Sequence, residues 1–143
     1  MSDCTVLLVD DEEEFVEVLG ERLEARDLSV ETAQNGEVAL AKANAKVFDA
    51  IVLDLAMPGM DGIETLKGLL QINPDLQVIL LTGQATLGKA VDAMKLGALD
   101  FLEKPVDIDV LVARIDDAAR KRSSLEDRHI QERVDDILRK KGW

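Results

Sequence analysis

The sequence predicts an α/β fold, a five-stranded parallel sheet doubly wound with helices, and three observations carry that expectation. Apolar runs of strand length (Val6–Val9, Ile51–Leu53, Val78–Leu81, Phe101-Leu102) alternate with segments whose apolar residues recur at helical spacing. Within the runs apolar residues are consecutive rather than alternating, which marks strands buried on both faces. Regular βα alternation then requires parallel pairing, because parallel neighbours are joined by helical crossovers.

Element by element, strand Val6–Val9 leads into a helix with a face of Phe15, Val18, Leu19 and Leu23. Val30 to Ala33 reads as a short second strand and Val38 to Ala43 as the second helix. The third strand passes through a turn-rich Met57-Pro-Gly-Met-Asp-Gly62 segment into a helix carrying Ile63, Leu66, Leu69 and Leu70. Thr86 stands where it caps a fourth helix that runs through Leu96 and ends at Gly97, and Asp107 caps a fifth carrying Val110, Leu111 and Ile115. Beyond about residue 120 the pattern changes. Ser123-Ser124 interrupts an otherwise helical stretch, and Ser123 with Glu126 forms a candidate capping box, so residues 124–141 read as a separate helix or a bent continuation. The chain is therefore divided into a domain, 1–120, and a helical C-terminal extension or linker, 121–143.

Composition narrows the function classes. At 143 residues and 47% hydrophobic content the chain is sized for one core. It has no apolar run near the ~20 residues of a membrane helix, and Met1-Ser-Asp-Cys lacks the features of a signal peptide, so a cytoplasmic protein without membrane contact is expected. The single Cys4 reads as a small buried hydrophobe. A net charge of −12 argues against direct binding of nucleic acid and favours a protein partner. Charge is uneven along the chain: residues 120–143 hold eight Lys or Arg against five Asp or Glu, a net of +3, leaving −15 on residues 1–119.

Polar residues at the strand ends carry the chemistry. Asp10-Asp11, Asp54, Thr82 and Lys104-Pro105 follow four of the apolar runs and would gather at the carboxyl edge of the sheet, where open α/β sheets bind ligands. Three carboxylates and one ammonium sum to −2, which one hard divalent cation such as Mg2+ cancels, so a Mg2+-dependent phosphate site is expected. Phosphoryl transfer needs positioning and charge neutralisation more than covalent help. Asp54, alone after its strand and left open by the turn-rich loop, is the candidate nucleophile, and Asp10-Asp11 looks like a metal cradle.

Leu7-Leu-Val-Asp-Asp-Glu12, Val52-Leu-Asp-Leu-Ala-Met-Pro-Gly-Met-Asp-Gly62, Leu80-Leu-Thr-Gly83 and Asp100-Phe-Leu-Glu-Lys-Pro105 together resemble the receiver domain of two-component response regulators, over roughly residues 4–120. The resemblance implies a flavodoxin-like strand order 2-1-3-4-5, with strand 2 at an edge. It implies Asp54 as phosphoacceptor, Asp11 as direct Mg2+ ligand, Asp10 as ligand through water, and the carbonyl of Ala56 completing the protein ligands. Thr82 resembles the hydroxyl that swings onto the phosphoryl group, Lys104 the lysine that pairs with it, and Phe101 the aromatic that turns inward on activation. A cis Lys104-Pro105 bond is also implied. Ala56 and Gln84 sit where the family tunes autodephosphorylation. The implied role is a regulatory phosphoacceptor rather than an enzyme. Its donor would be a sensor histidine kinase or a histidine phosphotransfer protein, and its output an unknown downstream protein, with a homodimer as a further expectation.

Other readings are weaker. Each site residue alone could be a turn or cap, but independent caps have no reason to converge with compensating charge. Gly83-Gln-Ala-Thr-Leu-Gly-Lys89 fits a P-loop except that Ala90 stands where Ser or Thr must hold the metal. An aspartyl-phosphate hydrolase would carry a second acid where Ala56 lies. His129 has no ligand companion and reads as a solvated helix residue. Apolar Leu125, Ile130, Val134, Ile137 and Leu138 recur near helical spacing, although the five-residue step after Leu125 breaks a strict heptad.

Overall fold

A computed structural model describes residues 4–57, 60–83 and 86–141. The alternation resolves into β1 (Thr5–Val9), α1 (Glu13–Glu24), β2 (Ser29–Ala33), α2 (Gly36–Ala45), β3 (Ala50–Asp54), α3 (Gly62–Ile72), β4 (Val78–Thr82), α4 (Leu87–Leu96), β5 (Asp100–Glu103) and α5 (Ile108–Lys140). All pairings are parallel and the strand order is β2-β1-β3-β4-β5, as expected.

The strand alternation divides the core in two. Leu7, Val9, Ile51, Leu53, Val78 and Leu80 point to one face beneath α2, α3 and α4, while Val6, Leu8, Val52, Ile79 and Leu81 point to the other beneath α1 and α5. Both faces of β1, β3 and β4 are therefore dry, which is why their sequences lack polar alternation. Cys4 is buried, and burial pushes its thiol pKa up, aided by the charges of Asp49 and Asp116. Val18 is 49% exposed, so Val16 rather than Val18 completes the buried face of α1; 100° per residue turns Val18 outward.

Capping follows the sequence at Asp107, whose carboxylate accepts from the N–H groups of Asp109 and Val110, and at Gly97, which ends α4 with φ 121°. Thr86 precedes α4 but does not cap it through its side chain. Its hydroxyl instead donates to the Gly83 carbonyl at 3.1 Å and accepts the Gly83 N–H at 3.0 Å, closing the turn after β4. α4 begins at Leu87, so Gly88 and Lys89 are helical and no phosphate-cradling loop of P-loop length remains; Gln84 lies outside the described residues.

The Ser123-Ser124 interruption does not occur. α5 is one helix of 33 residues running from Ile108 to Lys140. Serine costs a helix only about 0.5 kcal/mol, less than the tertiary contacts of this segment return. Arg122 Nε donates to Asp49 at 3.1 Å and its Nη1 to Glu126 at 2.9 Å, and His129 Nε2 lies 2.7 Å from Asp75. His129 is thus an exposed helix residue, as expected, that also reaches Asp75.

Gly62 opens α3 against the end of β3. A Cβ there would stand 2.4 Å from Leu55 Cα and 2.8 Å from the Asp54 carbonyl oxygen, both backbone atoms that cannot step aside. Gly62→Ala is expected to lower stability by about 2 kcal/mol, measurable by urea unfolding. An unchanged midpoint would refute the close approach.

Candidate functional site

Four strand ends meet at one edge of the sheet. Asp10 follows β1, Asp54 closes β3, Thr82 closes β4 and Lys104 follows β5. Asp10 and Thr82 are fully buried, Asp54 is 3% exposed, and Asp11 is exposed. The expectation that the turn-rich loop leaves Asp54 open is therefore corrected: the carboxylate is buried, with the Lys104 ammonium 3.8 Å from it. Pro58 and Gly59 of that loop lie outside the described residues.

Carboxylate oxygens of Asp10, Asp11 and Asp54 lie within 4.8 Å of one another. Such a set of hard oxygen donors, two buried and one open, has the composition a divalent cation such as Mg2+ takes. The expected ligand carbonyl of Ala56 belongs to the residue whose N–H donates to Asp54 Oδ1 at 3.2 Å, so the backbone there already wraps the carboxylate. Glu12 N–H donates to Asp10 Oδ1 at 3.0 Å and fixes that carboxylate in turn.

Lys104 ties the cluster together. Its Nζ lies 3.0 Å from Asp10 Oδ2, 3.3 Å from Glu12 Oε1 and 3.8 Å from Asp54 Oδ2, and 4.3 Å from the centre of the Phe15 ring. Its backbone N–H donates to the Thr82 carbonyl at 2.7 Å, which aims the side chain across the strand ends; the Lys104-Pro105 bond is cis. Glu12 and Phe15 were not singled out from sequence as site residues. The available signal was position: Glu12 immediately precedes, and Phe15 lies in the first turn of, the helix that follows Asp10-Asp11.

Burial pushes the Asp54 carboxyl up to about 6, and the charges of Asp10 and Asp11 act the same way, against the Ala56 N–H and the Lys104 ammonium. For Lys104, burial alone would lower the pKa, but the hydrogen bond and charge of Asp10, with Asp54 and Glu12, raise it above the ordinary lysine value. The ammonium thus stays protonated. The Thr82 hydroxyl donates to the Leu102 carbonyl at 3.5 Å, a long contact that costs little to exchange. Phe101 is half-buried on β5, packed against the α2–α4 side of the core.

The arrangement gathers a buried carboxylate, a set of three carboxylates with the spacing a divalent cation takes, a fixed ammonium and a hydroxyl held by one long hydrogen bond. No helix among the described residues is long and apolar enough to cross a membrane.

Comparison with known proteins gives the same direction. The family model for the response regulator receiver domain matches residues 6–116. The transcriptional regulatory protein ZraR of Klebsiella oxytoca is 41% identical over 79% of this chain and 26% of its own length. The DNA-binding transcriptional regulator NtrC of Salmonella typhimurium is 41% identical over 79% of this chain and 24% of its own. The chain thus spans about a quarter of the curated relatives it matches. Among solved structures, a response regulator receiver domain protein from Clostridium thermocellum superposes with a TM-score of 0.80 at 31% identity, covering 85% of this chain and 98% of that one. With these similarities matching the geometry at the strand ends, the chain belongs to the response regulator receiver domain family.

Proposed function

We propose that Asp54 accepts a phosphoryl group from a phosphohistidine, on a sensor histidine kinase or a histidine phosphotransfer protein, and that the resulting acyl phosphate switches the domain for a downstream protein in the cytoplasm. The observation that carries this reading is the buried Asp54 carboxylate held between Lys104 and the Asp10-Asp11 pair.

In this reading an Asp54 oxygen attacks phosphorus as the P–N bond to imidazole breaks, and the imidazole leaves with a proton taken from solvent. Asp10, Asp11, Asp54 and the Ala56 carbonyl would hold Mg2+, which when bound offsets the charge of the incoming phosphoryl oxygens. Lys104 is already fixed beside Asp54 and neutralises a further oxygen, while Thr82 exchanges its long bond to Leu102 for the phosphoryl group. That movement vacates space beside β4, into which Phe101 turns. Ala56 supplies no acid for rapid hydrolysis, so the product lasts as a signal rather than a turnover intermediate. Residues 1–120 form the receiver and 121–143 a helical extension or linker. Direct contact with nucleic acid is not part of this reading, because the chain is strongly acidic overall.

Incubation with a small acyl phosphate and magnesium is expected to add one phosphoryl mass to the chain and none to Asp54→Ala, as read by intact-mass spectrometry. A chelator, or Asp11→Ala, should suppress the adduct. Thr82→Ala should still be modified yet lose the protection of residues 86–90 and 99–106 in amide exchange. An adduct on Asp54→Ala would overturn the assignment.

A further inference from the structure

A groove of about 550 Å³ runs between α1 and the outer strand β2. Its floor is Val16, Gly20 and Val30, and Glu13, Glu17, Glu21 and Glu24 stand exposed along its α1 wall, with no Lys or Arg in the lining. Glu13, Glu17 and Glu21 are spaced by four, where like charges on a helix repel one another. Gly20 is a second local cost, because glycine in a helix interior is less favourable than alanine. Packing does not require it: within 4 Å a Cβ at Gly20 would meet only Val30 Cγ1, at an ordinary 3.8 Å. What the missing side chain does is keep the floor of the groove open. At 100° per residue the groove lies on the side of α1 opposite Phe15, so it is separate from the Lys104 cluster.

Beside the groove lies the edge of the sheet. Ser29 N–H donates to the Cys4 carbonyl at 2.9 Å and Asp10 N–H donates to the Ala33 carbonyl at 3.1 Å, so Ser29, Glu31 and Ala33 turn their backbone groups to β1, and Val30 and Thr32 turn theirs outward. Lys42 Nζ donates to the Thr32 carbonyl at 2.6 Å, a guard against indiscriminate strand pairing. No strand among the described residues lies beside the outward groups of Val30 and Thr32. We propose that an extended basic segment of a partner protein adds to this edge and lays every second side chain, a Lys or Arg, in the groove. Charge selects the occupant. Four carboxylates with no cation in the lining match a row of alternate positive side chains, whose aliphatic stems cover Val16, Gly20 and Val30. A second copy presenting the same edge would instead bring two rows of glutamates together. The intervening side chains of the segment meet the side of the edge that carries Lys42 and Lys46, the latter paired with Glu31 at 2.6 Å, so neutral strand formers such as Thr suit them better than further cations. On docking, Lys42 yields the Thr32 carbonyl to a backbone N–H of the segment.

The probe is a fluorescent peptide of about ten residues in which Lys and Thr alternate, titrated with the full chain and followed by anisotropy. Its control carries the same residues as a lysine run followed by a threonine run. The alternating peptide is expected to bind at least about tenfold more tightly than the control, and more weakly as salt is added. Gly20→Leu, which fills the floor, should weaken binding by at least about tenfold with the far-UV circular dichroism unchanged. The double variant Glu17→Gln, Glu21→Gln, which keeps the shape of the groove, should weaken it by a similar factor, whereas Glu132→Gln, far along α5, should not change it. Amide exchange of the complex should show Val30 and Thr32 newly protected. Equal binding of the two peptides, or variants at Gly20 and at Glu17 with Glu21 that both bind as the parent does, would reduce the groove to general attraction between opposite charges and overturn the proposal. Binding that leaves Val30 and Thr32 unprotected would overturn the added strand, and no binding at up to about 1 mM protein would overturn the proposal outright.

Discussion

Lys104→Met is expected to lose about 3 kcal/mol of stability in metal-free buffer and nearly all capacity for phosphoryl acceptance. The ammonium lies within 4 Å of three carboxylates, and its side chain is only 21% exposed. Removing one member of a mostly buried ion cluster leaves the others uncompensated, which costs more than the pair was worth. Methionine keeps most of the stem and its contact with Phe15, so the loss measures charge rather than packing. Because the Lys104 pKa is raised in the fold, its contribution is complete below the ordinary lysine value and disappears only as pH rises past the folded one. The deficit of the variant should therefore be present throughout the neutral range. Urea unfolding of both proteins in chelator tests the stability arm, and intact mass after acyl phosphate tests the chemistry. A variant as stable as the parent would show that Lys104 neutralises nothing.

Asp54 has the opposite sign. Its folded pKa of about 6 lies above that of an unfolded aspartate near 3.9, so the fold favours the protonated carboxyl. The stability this confers is fully present below about pH 4 and is lost as pH rises through about 6; above that the ionised group costs on the order of 2–3 kcal/mol. In chelator at pH 7.5, Asp54→Asn is expected to melt several degrees above the parent, and the gap should narrow to about a third by pH 4.5. Magnesium should raise the melting temperature of the parent but not of Asp54→Asn, because only the parent offers all three carboxylates. Thermal melts from pH 4.5 to 8 with and without magnesium would settle it, and a gap that widened toward acid would contradict the burial argument.

The fold was legible because β1, β3 and β4 carry uninterrupted apolar runs, and those three strands and β5 each lead into a polar residue. The same feature exposed Asp10, Asp11, Asp54, Thr82 and Lys104 as a set, and the structure brings them to one edge. What was not legible depends on pairing across long separations. Glu12 looks like any acidic residue opening a helix until Lys104, 92 residues later, arrives within 3.3 Å. The burial of Asp54 was hidden for a related reason, since local turn composition says nothing of a lysine crossing overhead. The continuity of α5 rests on Asp49 and Asp75, which are 73 and 54 residues from their partners Arg122 and His129. Local reading saw only two serines.

The unbroken α5 also makes the protein a lever. A helix of 33 residues is a rod about 50 Å long. Its Asp107 end lies three residues from Lys104, and two tethers to Asp49 and Asp75 act as a fulcrum partway along. A rearrangement at the strand ends that tilted the rod about that fulcrum by about 5° would sweep the far tip, roughly 20 Å beyond it, through about 2 Å. Stiffness alone would then transmit the event, with no chain of side-chain displacements through the core.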